Sequence, residues 1–189
     1  MKWSILIPSL TEREHLLKRL LNALHTQINE CKAENVEIVI LTDNREKSTG
    51  AKRNQLIEMA KGEYFCFFDD DDLPESNYIK LILEAIEQNP DVIPINGYMT
   101  TNGMNPIGWE MGLEYERREV RNNFGIVQHY EAPPNHLAVV KKDLVKDYLF
   151  KDISWAEDSD WADRLKNNKV FKTQVRIKQQ IYHYVFTKR

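Results

Sequence analysis

The chain carries two cysteines, Cys31 and Cys66, and they lie far apart. They form no disulfide framework and no zinc-type spacing, which points to a reducing compartment. Long hydrophobic runs are missing as well. The apolar stretch nearest the start, Ser4–Ile7, is too short for a signal sequence or a membrane span. Nor is there an excess of positive charge. The formal net charge is −3 over 189 residues and the pI is near 6.0, which counts against a nonspecific nucleic-acid binder. Glycine is sparse, at 7, and no glycine-rich phosphate loop follows the first apolar run. No repeat or low-complexity linker appears. What remains is an ordinary globular composition, 42% hydrophobic and 29% charged, in a chain long enough for one domain with its own core.

The densest information lies in residues 62–74, Gly-Glu-Tyr-Phe-Cys-Phe-Phe-Asp-Asp-Asp-Asp-Leu-Pro. Tyr64–Phe68 is short, wholly apolar and rich in strand formers, so it reads as a strand buried on both faces. Cys66 is then a small core residue. The run stops on four carboxylates, Asp69–Asp72. Acids at the carboxyl end of such a strand sit where open α/β sheets bind ligands. Two carboxylates about 5 Å apart repel by about 3 kcal/mol at an effective dielectric near 20, unless a cation or water screens them. On an extended chain Asp69 and Asp71 share one side and Asp70 and Asp72 the other. One such pair can grip a hard divalent cation. Alternatively the acids form a solvated loop entering a helix, with Pro74 in its first turn.

Strands and helices alternate through the first half. Strands are expected at Trp3–Ile7, Val36–Leu41, Tyr64–Phe68 and Asp91–Ile95. Helices are expected after a Thr11–Glu14 capping box, with Leu16, Leu17, Leu20, Leu21, Leu24 and Ile28 as the apolar stripe, then after Ser48 or Thr49, with Gly62 as the stop, and over Glu75–Gln88. The pattern predicts a mainly parallel sheet flanked by helices in a single α/β domain. Residues 97–134 lack a clear period and read as a loop-rich, partly open region over one sheet edge. Beyond them the spacing predicts order at His136–Val140, helices near Lys142–Tyr148 and over Glu157–Asn167, and a closing strand within Val170–Ile177.

Several groups at element ends have chemical potential. Asp43 can accept hydrogen bonds from a base or ribose, or form a turn. Lys52, Arg53 and Asn54 open a helix, where cations are disfavoured by up to about 1 kcal/mol each unless an anion such as a pyrophosphate binds there. The other reading lets the two long side chains swing into water. Ser154 and Glu157 form a second capping box. Asp158 lies in the first turn of that helix, bracketed by Trp155 and Trp161. His183, among C-terminal aromatics, is either a packed residue or a nitrogen ligand.

Together these segments resemble the family 2 glycosyltransferases of the GT-A fold. The likeness covers about Trp3 to Thr100 and Asn135 to Tyr184. It rests on Ile7-Pro8-Ser9-Leu10-Thr11, Ile40-Leu41-Thr42-Asp43, Ala51-Lys52-Arg53-Asn54, Lys61-Gly62-Glu63-Tyr64 with Asp69–Asp72, and Glu157-Asp158 followed by Arg164-Leu165. The chain is also similar to small phage and bacterial members through its acid run and Pro134–Leu137. The resemblance implies that Pro8, Leu10, Glu12, Asp43 and Arg53 surround the nucleotide. It implies that Asp69 and Asp70 contact ribose or support the metal, with Asp71 ligating Mn²⁺ or Mg²⁺ and His183 completing the coordination. Asp158 would be the general base and Glu157 its support. Leu10 and Thr11 replace the usual aromatic and Asn of the first turn, so the resemblance does not carry over base stacking by that turn or the choice of nucleotide.

The expected activity is inverting, metal-dependent transfer from a nucleoside-diphosphate sugar, with a UDP-sugar as the expected donor. Residues 1–96 would form the nucleotide-sugar half and 97–189 the acceptor and catalytic half. The acceptor would be a glycan, a lipid-linked or another hydroxyl compound, lying near Trp109, Tyr115 or Trp155. A modified DNA base stays open as an acceptor, although the acidic pI argues against a large DNA footprint. The location implied is the cytoplasm of a bacterial or phage-infected cell, free or peripheral at a membrane. The rivals are a nucleotidyltransferase, a phosphatase or mutase with a nucleophilic Asp, and a non-catalytic binding protein of the same fold.

Overall fold

The apolar runs beginning at Trp3, Val36 and Tyr64 become neighbouring strands. The structure is a computed structural model that describes residues 1–187; residues 188 and 189 of the expected domain lie outside the described residues. Strand β1 (Trp3–Leu10) pairs in parallel with β2 (Val36–Asp43) on one side and β3 (Tyr64–Phe67) on the other. The sheet continues through β10 (Val139–Lys141), antiparallel to both β3 and β5 (Val92–Ile93). Its order is β2-β1-β3-β10-β5. Strand order reverses at β1, so a crevice opens at the carboxyl ends of β1 and β3.

Helix α1 (Glu14–Glu30) follows a short 3-10 turn at Thr11–Arg13 and buries Leu17, Leu20 and Leu24. Gln27 is buried in the same stripe and bonds the backbone of Glu75 and Ile79. Helix α2 (Thr49–Met59) is capped by Ser48, whose hydroxyl accepts from the Ala51 amide at 3.1 Å. Helix α3 (Tyr78–Ile86) lies beside α1 and buries Tyr78, Ile79 and Ile82. One hydrophobic cluster joins Trp3, Leu24, Phe67, Ile82, Trp161 and Tyr182.

A second sheet has the order β4-β11-β6-β7-β9-β8. Its strands are β4 (Leu73–Pro74), β6 (Asn96–Thr101), β7 (Met104–Met111), β8 (Arg118–Arg121), β9 (Val127–Ala132) and β11 (Gln180–Phe186). Both sheets mix parallel and antiparallel pairs, so the architecture is α/β but less parallel than expected.

Several local expectations need correction. Residues 97–134 carry four strands, β6 to β9, joined by turns rather than an open loop; strands with polar outer faces hide their period among Gly, Asn and Pro. The closing strand is β11, whereas residues 170–177 make only an isolated bridge, Val92 to Gln174. Neither expected capping box forms. The Thr11 hydroxyl donates to the Asp43 carbonyl at 3.3 Å, and the Ser154 hydroxyl accepts from the Thr49 amide at 3.3 Å. Pro74 belongs to β4, so α3 starts later, at Tyr78. Gly62 does not stop α2, which ends at Met59. It is small because a Cβ there would lie 2.7 Å from the Ser4 backbone nitrogen.

Helices α4 (Lys142–Val145) and α5 (Glu157–Asn167) complete the chain. The residue before α5, Ala156, has φ of 60°, a left-handed conformation that is uncommon outside glycine. It swings the chain so that Glu157 is buried while Trp155 is 86% exposed. Trp155 therefore does not bracket Asp158. Trp161 stacks on Phe150 at 4.8 Å, and its indole N–H donates to the Tyr148 carbonyl.

Candidate active site

The carboxyl ends of β1, β2 and β3 place Ser9, Leu10, Asp43 and Asp69 along one rim. A cavity of about 440 Å³ opens there, lined by Pro8, Leu10, Arg13, Lys52, Arg53 and Asp69–Asp71, among others. Lys52 and Arg53 are buried, so neither swings into water. The Lys52 ammonium donates to the Ser9 carbonyl at 2.9 Å and to Asp43 at 2.8 Å. Asp43 also accepts from the amides of Arg45 and Lys47, at 3.2 and 3.0 Å. Burial works to raise its pKa, but Lys52 and those amides outweigh it and hold the carboxyl low. Asp43 is thus both turn former and ion-pair partner. Glu12 pairs with Arg45 at the mouth. Asn54 faces the other way, bonding the Phe150 backbone.

The four acids separate by environment. Asp70 and Asp71 occupy a turn, closed by the Asp72 amide donating to the Asp69 carbonyl at 3.2 Å; the extended pleat expected there is absent. Asp70 is buried and accepts from Ser9 Oγ at 2.6 Å and Arg13 Nη1 at 2.8 Å. Asp72 is fully buried and accepts from the Tyr182 hydroxyl at 2.6 Å and the Val185 amide at 2.8 Å. Burial, then the Asp69 charge, push its pKa up. Asp69 and Asp71 remain partly open, at 31% and 35%. Burial raises the Asp71 pKa, and the charges of Asp69 and Asp70 add to it against the pull of Arg13. Hard carboxylate oxygens crowded together in this way suit a hard divalent cation.

A chain of charged groups crosses the floor. Arg53, 3% exposed, lies with Nε 3.3 Å from Glu157 and Nη2 3.4 Å from Asp69. Its guanidinium sits 4.8 Å from the Phe67 ring centroid. Its Nη1 is buried without a partner. Asp69 in turn lies 3.3 Å from His136 Nε2, and His136 Nδ1 lies 3.3 Å from Asp158. Burial works to raise the Asp158 pKa, but His136 and Arg53 overcome it and hold the carboxyl well below its usual range. Burial and Arg53 push His136 down, yet its two carboxylate neighbours win and raise it. His136 was not singled out from the sequence. The signal available was its place in Pro134–Leu137, three residues before a short buried strand.

Asp69 and Asp158 also line a second cavity, of about 450 Å³, with Trp109, Met99, Tyr130 and Leu137 among its walls. Of the aromatics expected near an acceptor, Trp109 is there. Tyr115 instead accepts from Arg176 at 3.0 Å, and Trp155 lines none of the cavities at this rim. His183 does not join the acids. Its Nε2 bonds the Thr100 hydroxyl at 2.8 Å, and its ring stacks on Tyr98 at 4.5 Å. Among the described residues, one trio of carboxylate and imidazole atoms converges closely, Glu110, His129 and Glu131. Arg176 and Arg118 already hold those two glutamates at 2.7 Å each.

Parallel strands with a reversal point, an acid run at that point and a buried arginine fit an α/β domain of the GT-A kind. The sequence profile of glycosyl transferase family 2 matches residues 44–149, and the chain belongs to that family. No curated protein sequence matches it. Among solved structures it is similar to S. aureus TarS 1-349 in complex with UDP-GlcNAc, at 21% identity and a TM-score of 0.67, covering 100% of this chain and 59% of that one. The UDP complex of TarS 1-349 gives 20% identity and 0.64, covering 98% and 60%. The likeness establishes the fold. The chain spans about three fifths of the TarS 1-349 structures.

Proposed function

We propose that the chain transfers a sugar, with inversion, from a nucleoside-diphosphate sugar to an acceptor hydroxyl. The observation that carries this reading is the pair of cavities meeting at Asp69: one basic and floored by Arg53, the other aromatic and bordered by Asp158. The Arg53 guanidinium at the floor of the basic cavity fits an anionic oxygen of the donor diphosphate, as charge-assisted bonds from arginine do. Pro8 and Leu10 would flank the nucleotide, and Asp43 would stand near its base or ribose. TarS, crystallised with UDP-GlcNAc and with UDP, supports a uridine nucleotide as the first donor to test.

Asp69 and Asp71 would hold Mn²⁺ or Mg²⁺, which when bound supplies neutralisation of the charge gathering on the departing diphosphate. Asp70 and Asp72 would brace that turn through Ser9, Arg13 and Tyr182. Asp158, held ionised, would take the proton of the acceptor hydroxyl as its oxygen attacks the anomeric carbon and the carbon–phosphate oxygen bond breaks on the opposite face. Glu157 would hold Arg53, and Trp109 would offer the acceptor a flat wall. His183, turned toward Thr100, takes no part in this arrangement.

Calorimetric titration of the chain with UDP, with Mn²⁺ and with chelator, tests the donor half. Binding should be much tighter with Mn²⁺, and Asp71→Asn should remove most of that difference. Equal affinity with and without Mn²⁺ in the wild-type chain would refute metal-linked nucleotide binding. A panel of nucleotide sugars, read as hydrolysis or transfer, then identifies the sugar.

A further inference from the structure

His136 lines the aromatic cavity and touches Asp69, which borders both cavities, yet neither donor binding nor proton removal above gives it a task. Its side chain is almost fully buried. Its carbonyl accepts from the Phe67 amide at 2.9 Å, which fixes its backbone to the end of β3. The Asn135 side chain and carbonyl close the next turn, accepting from the amides of Leu137 and Ala138. Backbone and ring base are therefore held, and the two ring nitrogens face opposite carboxylates. Nε2 meets Asp69 at 3.3 Å in hydrogen-bonding geometry. Nδ1 is as close to Asp158 but misaligned, and it has no hydrogen-bond partner at all. A buried nitrogen left in that state is disfavoured, and Asp158 is the acceptor beside it. Bonds of this kind often align only when substrate is bound.

We propose that His136 is a positioning residue that couples the donor-side carboxylate Asp69 to the base Asp158. The ring holds Asp69 on its Nε2 edge and faces Asp158 with its Nδ1 edge, and once a nucleotide fills the donor cavity the Nδ1 edge aligns with Asp158. Occupancy of one cavity thereby orients the base in the other, and an empty donor site leaves the base loosely aimed. The inference rests on the function proposed above.

Two substitutions separate the ring's two edges. A glutamine amide reaches roughly to Nε2 and an asparagine amide roughly to Nδ1. His136→Gln should keep UDP affinity within about threefold while kcat falls roughly tenfold or more with little change in KM, the scale of a misplaced catalytic group. His136→Asn should instead weaken UDP binding and retain more of kcat. Equal losses of kcat and affinity in both variants, with lowered melting temperatures, would overturn the proposal in favour of simple packing. A readout free of turnover is the ¹⁵N resonance of His136 Nδ1, assigned by its loss in His136→Gln. Adding UDP and Mg²⁺ should move it in the wild-type chain and not in Asp158→Ala, which leaves no side-chain acceptor beside that nitrogen. An unmoved resonance in a chain that binds UDP overturns the positioning role alone; a chain that binds no nucleoside diphosphate overturns the proposed function and this inference with it.

Discussion

Replacing Arg53 with methionine should expose how much the charged floor depends on one residue. Arg53 is 3% exposed and its partner Glu157 is 5% exposed. Removing one member of a buried ion pair strands the other, at about 3–5 kcal/mol. The guanidinium also lies over Phe67 at 4.8 Å and near Phe150 at 5.6 Å, and such contacts contribute about 0.5–1 kcal/mol each. Methionine restores part of the packing but none of the charge, so the expected cost is about 4 kcal/mol. For a domain of this size that corresponds to a fall in Tm of about 8–16 °C. The double variant Arg53→Met with Glu157→Gln removes the stranded carboxylate. It should recover at least about 2 kcal/mol of the loss expected from adding the single effects, because the residues are in contact. Urea unfolding of the four chains at pH 7, checked for two-state behaviour with two probes, measures the cycle. UDP binding should be lost in both Arg53 variants. A single-variant cost below about 1 kcal/mol, or strict additivity in the cycle, would refute the view that Glu157 is held by Arg53 and needs it.

Asp158→Asn should leave the fold and UDP affinity nearly unchanged while transfer falls by roughly 100-fold or more; near wild-type turnover would move the base to another residue. His183→Ala removes a stack and a hydrogen bond on β6, so it should cost about 1–2 kcal/mol in urea unfolding with Mn²⁺ dependence intact; a changed Mn²⁺ titration with unchanged stability would restore it as a metal ligand. Cys31 is exposed, whereas Cys66 is buried and its thiol pKa is pushed up to about 12 by burial. One thiol per native chain should therefore react with an aromatic disulfide reagent at pH 8, and the second only in denaturant. Two fast thiols would mean that β3 opens readily.

The sequence made the first sheet legible because its strands are short, apolar and followed by helices with a clear stripe. Tyr64–Phe68 announced both its burial and the acids at its end. The second sheet stayed hidden for the opposite reason. β7 and β9 keep polar residues on much of their surface, and Pro106 and Gly108 within β7 imitate a loop. The capping boxes at Thr11 and Ser154 failed because tertiary partners, the Asp43 carbonyl and the Thr49 amide, took the hydroxyls. In the candidate site, Asp43, Arg53, Asp69–Asp71, Glu157 and Asp158 do converge on one rim. His183 misled because its aromatic setting describes β11, which packs on β6. His136 escaped because a single histidine between prolines and a short strand has no periodic or spacing signal. Its importance arises only when β10 lies against β3.

The fully buried Asp72 has a temporal consequence. Its partners, the Tyr182 hydroxyl and the Val185 amide, stand 110 and 113 residues further along the chain. During synthesis at roughly 5–20 residues per second, the acid loop therefore waits some 5–20 s before β11 exists to pair with β4. Until then the nascent chain holds four adjacent carboxylates with the last one unsealed, while β1, β2 and β3 can already assemble. Closure across so large a sequence separation is slow, so the rim that carries the acid run is the last part of the domain to be finished. An early-folding half thus emerges from the ribosome without a working site, and arrival of β11 switches it on.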